Sequence, residues 1–103
     1  MSMKLEKKFD SQLKTWLMDL SGEVDVSNAS ALRLGIESAF EESPGDIIID
    51  ISELKYIDSM GLGNLIGIYG SMKKANFKLS LQNAPDNIKK LLTITGLDKV
   101  LLI

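Results

Sequence analysis

The run Asp46-Ile47-Ile48-Ile49-Asp50-Ile51 limits the folding of this chain more than any other stretch. Successive β-branched side chains lose rotamer freedom in a helix and pack well on a pleated surface, so the segment reads as a strand. Three isoleucines in succession, with no polar alternation, predict a strand covered on both faces, in the middle of a sheet. Segments with helical periodicity lie on both sides of it. Crossover connections of that kind join parallel strands.

The rest of the chain can be read outward from this strand. Met3 to Phe9 alternates, with Met3, Leu5 and Phe9 on one side and Lys4, Glu6 and Lys8 on the other, as in a half-buried edge strand blunted by lysines. Asp10-Ser11-Gln12 supplies a turn, and Thr15 to Leu20, with Trp16, Met18 and Leu20 on one face, predicts its hairpin partner. From Ser27, a candidate cap, to Glu42, the residues Ala29, Leu32, Ile36, Ala39 and Phe40 recur at helical spacing until Ser43-Pro44-Gly45 ends the helix. A second helix is predicted over Ser59 to Lys74 and a strand over Phe77 to Gln82. A third helix opens at Pro85, with Ile88, Leu91, Leu92 and Thr95 inward. Gly96 falls where a helix end wants a left-handed residue, Leu97 can close that cap, and Val100 to Ile103 predicts a last short strand. The expectation is an α/β fold: a mixed, mostly parallel sheet of four to five strands with three to four helices, most of them on one face, and the other face partly solvated.

At 103 residues the chain has the size of one domain, 1–103, and its 45% hydrophobic and 25% charged composition is that of a packed globular protein. Cysteine and histidine are both absent. That removes thiolate nucleophiles, disulfides, imidazole acid–base chemistry and most transition-metal sites. A net charge of −2 offers no basic surplus for nucleic acid. No apolar run approaches the roughly 18 to 20 residues that cross a bilayer. A cytoplasmic, non-enzymatic protein without a cofactor is expected, working through protein partners as a monomer or a weak dimer.

The chemistry concentrates in Tyr56-Ile57-Asp58-Ser59-Met60-Gly61-Leu62-Gly63-Asn64-Leu65, where the central strand is expected to give way to the second helix. In that helix Leu62, Leu65, Ile66, Tyr69 and Met72 form the expected core stripe, leaving Met60, Asn64, Ile68 and Ser71 to point elsewhere. Gly61, Gly63, Gly67 and Gly70 together cost about 3 to 4 kcal/mol of helix propensity relative to alanine. Close packing on the sheet, or a flat surface for a partner, would offset that cost. Ser59 lies in the first turn, where free N–H groups and the helix dipole favour an anion. A phosphate there would place roughly −1.5 to −2 charges beside Asp58 and within any apolar interface, which makes it a release switch. Taken alone, an Asp-Ser-x-Gly at such a junction does no more than cap a helix.

The run Asp58-Ser59-Met60-Gly61-Leu62-Gly63 after an apolar strand resembles the signature of the STAS domain, and in particular the bacterial anti-sigma-factor antagonists. The resemblance spans nearly the whole chain. Gly22-Glu23-Val24-Asp25 resembles the family's turn after the second strand, Ile48 to Leu54 its central strand, and Leu91 to Val100 its C-terminal helix and strand. It implies that Ser59 is the phosphorylation site. It also implies that the unphosphorylated protein binds an anti-sigma factor, itself a serine kinase, and so frees a sigma factor. A PP2C-type phosphatase would restore the active form, with ATP and magnesium belonging to the kinase. Met60 departs from the pattern, since many members carry a second hydroxyl residue there. Asp25 matches an acidic family position near the switch, although an aspartate that stabilises a turn accounts for it equally well. The candidate partner-binding residues are Asp25, Asp58, Ser59, Met60, Gly61, Gly63, Asn64 and Ile68.

Three rival readings compete for the same residues. Catalysis lacks a histidine to activate Ser59, a Ser-x-x-Lys pair at Ser59, and the Lys-Ser/Thr ending of a P-loop after Gly63. A phosphoacceptor role for Asp50 lacks the acidic pair after the first strand, so Asp50 reads as a cap of the strand end. A STAS subunit of a stress-sensing assembly or of a lipid-transport complex would use the same helix face for a different protein, and is the alternative reading.

Overall fold

The computed structural model describes residues 2–103. Its elements are β1 (Met3–Asp10), β2 (Thr15–Val24), α1 (Ala29–Glu42), β3 (Asp46–Asp50), β4 (Leu54–Ile57), α2 (Ser59–Lys74), β5 (Leu79–Gln82), α3 (Asp86–Ile94) and α4 (Asp98–Leu101). β1 and β2 form the expected hairpin, with Phe9 opposite Trp16 and Leu5 opposite Leu20. The Asp10 carboxylate sets the turn by accepting from the Gln12 and Leu13 amides, each at 3.0 Å. Every other pairing in the sheet is parallel, so the architecture is the mixed, mostly parallel α/β fold expected.

β2 organises the sheet. β1 occupies one of its edges from Thr15 to Gly22. Along the other edge β3 pairs with Thr15 to Asp19 and β4 with Gly22 to Val24, so two successive strands share one side of β2. The register shifts between Gly22 and Glu23. Gly22 makes the shift possible: its φ is +89°, and a Cβ there would run into the Ser2 carbonyl oxygen. β4 is the strand that the sequence reading ran together with β3. Asp50 separates them, its carboxylate accepting from the Ser52 amide at 2.9 Å and from Asn83 at 2.7 Å. The Gly22-to-Val24 segment, read as a turn, is instead the last part of β2.

The core lies on one face of the sheet. Trp16, Met18 and Leu20 of β2, Ile47 and Ile49 of β3, and Leu79 and Leu81 of β5 are buried there, under Leu32 and Ile36 of α1 and Leu65 and Ile68 of α2. Trp16 also satisfies its indole N–H, which donates to the Ser43 carbonyl at 2.9 Å. The opposite face carries Lys8, Leu17, Asp19, Ile48 and Ser80, all at least partly exposed. β3 is therefore covered on one face only, contrary to the reading of its isoleucine run: Ile47 and Ile49 reach the core and Ile48 faces away from it.

Three further expectations need correction. α1 begins at Ala29 and Ser27 does not cap it, because the Ser27 hydroxyl and amide are both given to the Asp25 carboxylate. Residues 98–101 are helix and not strand. Gly96 is left-handed as expected, with φ of +75°, and the Leu97 amide closes on the Leu92 carbonyl at 2.8 Å. The chain then re-enters a helix that sends Leu101 into the core. Beyond it the chain reaches the sheet in a single parallel bridge, Leu102 beside Leu81, with the Ile103 amide donating to the Leu81 carbonyl at 3.0 Å. Thr95, expected inward, is exposed and returns its hydroxyl to the Leu91 carbonyl at 2.9 Å.

Replacing Gly22 by alanine should destabilise the protein by about 2 kcal/mol or more, because the new methyl meets backbone at a left-handed φ. Urea unfolding that leaves the midpoint unchanged would remove Gly22 from its role in the β2 register.

Candidate functional site

The junction of β4 and α2 is built from the inside outward. Ile57, almost fully buried, pairs with Val24 at the end of β2, and the Asp58 amide donates to the Val24 carbonyl at 3.0 Å. Asp58 is thereby held extended, with φ −97° and ψ −176°, while its Oδ1 accepts from the Gly61 amide at 3.0 Å. This is a side-chain N-cap on the third helical residue. Ser59 and Met60 then occupy the first two helical positions, where backbone N–H groups have no partner within a helix. Ser59 is exposed and Met60 is 54% exposed.

The four glycines of α2 divide into two kinds. A Cβ on Gly61 would stand 2.7 Å from both Val24 Cγ1 and Ile57 Cγ1, and one on Gly67 would stand 3.0 Å from the Arg33 guanidinium. Gly61 is required by packing, because its neighbours are stiff β-branched side chains, whereas the end of the flexible Arg33 side chain can move away from a methyl at Gly67. A Cβ on Gly63 or Gly70 would meet nothing within 4 Å, so the fold gives no reason for either. Ser59, Gly63, Ile66 and Gly70 follow one another at i, i+4, i+7 and i+11 and so share a face of the helix.

Gly61 also explains an error in the sequence reading. With no Cβ on that side, the helix settles against Val24 and Ile57, and this turns Ile68 inward. Ile68 is 2% exposed and belongs to the core, whereas Ile66, placed in the core stripe, is 43% exposed. Both stripes satisfy helical spacing, so periodicity could not separate them. Gly61 is likewise buried and backed by the sheet. Asn64 is turned toward α1, where its Oδ1 accepts from Arg33 at 3.3 Å, and Arg33 also reaches Glu37 at 3.3 Å.

The turn after β2 lies beside this junction through the bond between Val24 and Asp58. The Asp25 carboxylate accepts from the Ser27 amide at 2.9 Å and from the Ser27 hydroxyl, and the Asp25 amide donates to Asn28 Oδ1 at 3.0 Å. Asp25 therefore stabilises the turn. Its carboxyl is held below the ordinary aspartate value, first by the Ser27 hydroxyl and then by the Ser27 amide. At the tip of the turn Val26 is 71% exposed, an apolar group that the sequence reading passed over. Its signal was an isolated valine between two turn-forming residues.

The junction thus presents an exposed Ser59 on a capped helix, with Met60 and Ile66 of α2 and Val26 of the neighbouring turn exposed as well. The sequence matches the STAS domain family over residues 6–103, and the chain belongs to that family. It is 32% identical over 84 residues to the anti-sigma-B factor antagonist of Bacillus subtilis (strain 168), an overlap of 82% of this chain and 76% of that protein. In fold it resembles the anti-sigma factor antagonist SpoIIAA in its unphosphorylated form, with a TM-score of 0.80 and 22% identity over 99% of this chain and 86% of that one. A putative anti-sigma factor antagonist from Thermotoga maritima superposes with a TM-score of 0.86 at 19% identity, covering 96% of this chain and 84% of its own. Among the described residues no helix is long and apolar enough to cross a membrane.

Three substitutions test this geometry. Asp58→Ala should cost about 1 kcal/mol as the cap is lost. Gly70→Ala should stabilise the protein by up to about 1 kcal/mol, since the methyl enters open space. Urea denaturation reads both signs. Because the folded Asp25 carboxyl titrates below its unfolded value, its contribution to stability is present above the ordinary aspartate value and is lost as pH falls through the folded one. Ser27→Ala should raise the Asp25 titration midpoint in carboxyl-detected NMR, and an unchanged midpoint would contradict the assigned cause.

Proposed function

We propose that this chain is an anti-sigma-factor antagonist: its unphosphorylated form docks on an anti-sigma factor that is also a serine kinase, and phosphorylation of Ser59 ends that complex. The observation that carries the reading is the exposed Ser59 at the first position of α2, beside exposed Met60 and the open backbone at Gly63. The 32% identical relative named an anti-sigma-B factor antagonist supports it.

The docking surface comprises the first turns of α2 and the tip of the turn at residues 25–28. Met60, Ile66 and Val26 supply apolar contact, and the partner's atoms approach the α2 backbone at Gly63. Asp58 holds the first turn in place. Asp25 holds the neighbouring turn. Ile68, being buried, serves the site only by seating the helix.

In the complex the Ser59 hydroxyl oxygen attacks the γ-phosphorus of the kinase's Mg-ATP. ADP leaves, and the hydroxyl proton passes to a base of the kinase. The new phosphate is held locally by the free amides of the first turn and by the helix dipole. Its roughly −1.5 to −2 charges then face an apolar partner surface and the Asp58 carboxylate, so association is lost through desolvation and repulsion. A PP2C-type phosphatase returns the hydroxyl. The chain is ligand and substrate in the cytoplasm and performs no catalysis itself.

Affinity capture from the source bacterium with wild-type and Ser59→Asp baits, in Mg-ATP, tests this directly. Wild type should recover a serine-kinase anti-sigma factor and gain one phosphate at Ser59, with Ser59→Asp recovering at least about tenfold less. Equal capture by both baits, with no phosphate gained, would refute the switch. Gly63→Ala should raise stability yet weaken capture, and a variant that does only the former would remove Gly63 from the interface.

A further inference from the structure

β1 stands at one end of the sheet, paired to β2 alone. The Glu23 amide donates to the Ser2 carbonyl at 2.9 Å, whereas the Gly22 amide is given to the Glu53 carbonyl on the far side of β2. Residues 4, 6, 8 and 10 therefore exchange backbone bonds with β2, and Met3, Leu5, Lys7 and Phe9 turn theirs outward. Among the described residues nothing bonds to the outward backbone groups of Leu5, Lys7 or Phe9. No residue of the strand is buried. This edge is open from Leu5 to Phe9.

The two faces of β1 differ. Met3, Leu5 and Phe9 pack half-buried against the core, and Lys7, on the same face, sends its ammonium to the Gly35 carbonyl of α1 at 3.2 Å. On the solvent face stand Lys4, Glu6, Lys8 and Asp10, which alternate in charge. Laid antiparallel against itself about Lys7, this row sets Lys4 opposite Asp10 and Glu6 opposite Lys8, so every charge meets its opposite. The same register sets Leu5 opposite Phe9 on the core face. Centred on Glu6 instead, the row would set Glu6 against itself and Lys4 against Lys8. Centred on Leu5, it would match Lys4 with Glu6 and leave Lys8 and Asp10 without opposite charges.

We infer that β1 is the contact edge of a homodimer, in which a second copy of this chain adds its own β1 antiparallel about a two-fold axis at Lys7. Leu5, Lys7 and Phe9 exchange backbone hydrogen bonds with Phe9, Lys7 and Leu5 of the second copy, and the solvent-face charges fix the register. Lysines on an open edge turn neutral and basic strands away, and here each solvent-face lysine finds a carboxylate only on the reversed copy. The Lys4–Glu6 pair within one chain, at 3.7 Å and exposed, contributes little and is given up at small cost. The two Lys7 residues at the axis repel each other, which keeps the association weak and reversible. Both Ser59 hydroxyls stay accessible in the dimer, because α2 starts from β4, across β2 from β1.

Sedimentation equilibrium of the full chain up to about 1 mM should show a reversible monomer–dimer equilibrium. Glu6→Lys or Lys8→Glu alone sets like charges against each other on both sides of the axis and should weaken the dimer at least about tenfold. The two substitutions together restore opposite charges and should return it to within about threefold of wild type. Isotope-filtered NMR on mixed labelled and unlabelled chains should find the Glu6 α-proton of one copy against the Lys8 α-proton of the other. A chain that stays monomeric at about 1 mM would overturn the proposal. So would a dimer that the charge exchange fails to rescue, or a contact between copies from Glu6 to Glu6.

Discussion

Everything in this fold depends on β2 pairing with two strands along one edge. β1 takes the other edge whole, so β3 and β4 must share what remains, and the left-handed Gly22 lets the register change between them. Without that shift the chain after Asp50 could not return to β2, and Ile57 would not reach Val24. The bond from the Asp58 amide to the Val24 carbonyl follows from that pairing. It sets the turn at residues 25–28 and the start of α2 side by side. The proposed switch thus rests on a backbone irregularity far from Ser59 in sequence.

α2 has two faces with different reasons for their composition. Inward, Gly61 lets the helix settle on Val24 and Ile57, and Leu65, Ile68 and Met72 fill the core. Outward, Gly63 and Gly70 lower helix propensity without any packing that offsets it, and the exposed Met60 and Ile66 flank them. The proposed docking of a partner on this face would account for both features. Phosphate on Ser59 would act on that face alone, since the hydroxyl is exposed and the Asp58 cap already satisfies the deeper Gly61 donor.

Much of this was legible in the sequence. The hairpin, α1, the glycine-rich α2, β5 and the left-handed Gly96 all follow from alternation, helical spacing and backbone chemistry that act within a few residues. The failures lie where two local solutions were equivalent and tertiary contact chose. Ile66 and Ile68 both fit a core stripe, and the seat under Gly61 decided between them. Ile48 belongs to a run that suits double burial, yet the helices cover one face. Residues 100–103 have strand-forming side chains, but burial of Leu101 after the Gly96 cap draws Val100 and Leu101 into α4 and leaves Leu102 a single bridge to the sheet. At the start of α2, Asp58 caps the helix, Ser59 lies in its first turn and Met60 is turned away from the core, as the sequence pattern implies. Val26 and Ile66 emerged only from their exposure.

The central claim is that Ser59 is presented on a rigid frame, so that its phosphate alters a surface and not the fold. The direct measurement compares amide NMR spectra and urea unfolding of the protein carrying serine or phosphoserine at position 59. Shift changes confined to residues 58–62 and 25–28, with an unfolding midpoint equal or slightly higher, are the predicted result. Changes spread through Ile47, Ile49 or Leu81, or a lower midpoint, would mean that the phosphate disturbs the core and would contradict the account.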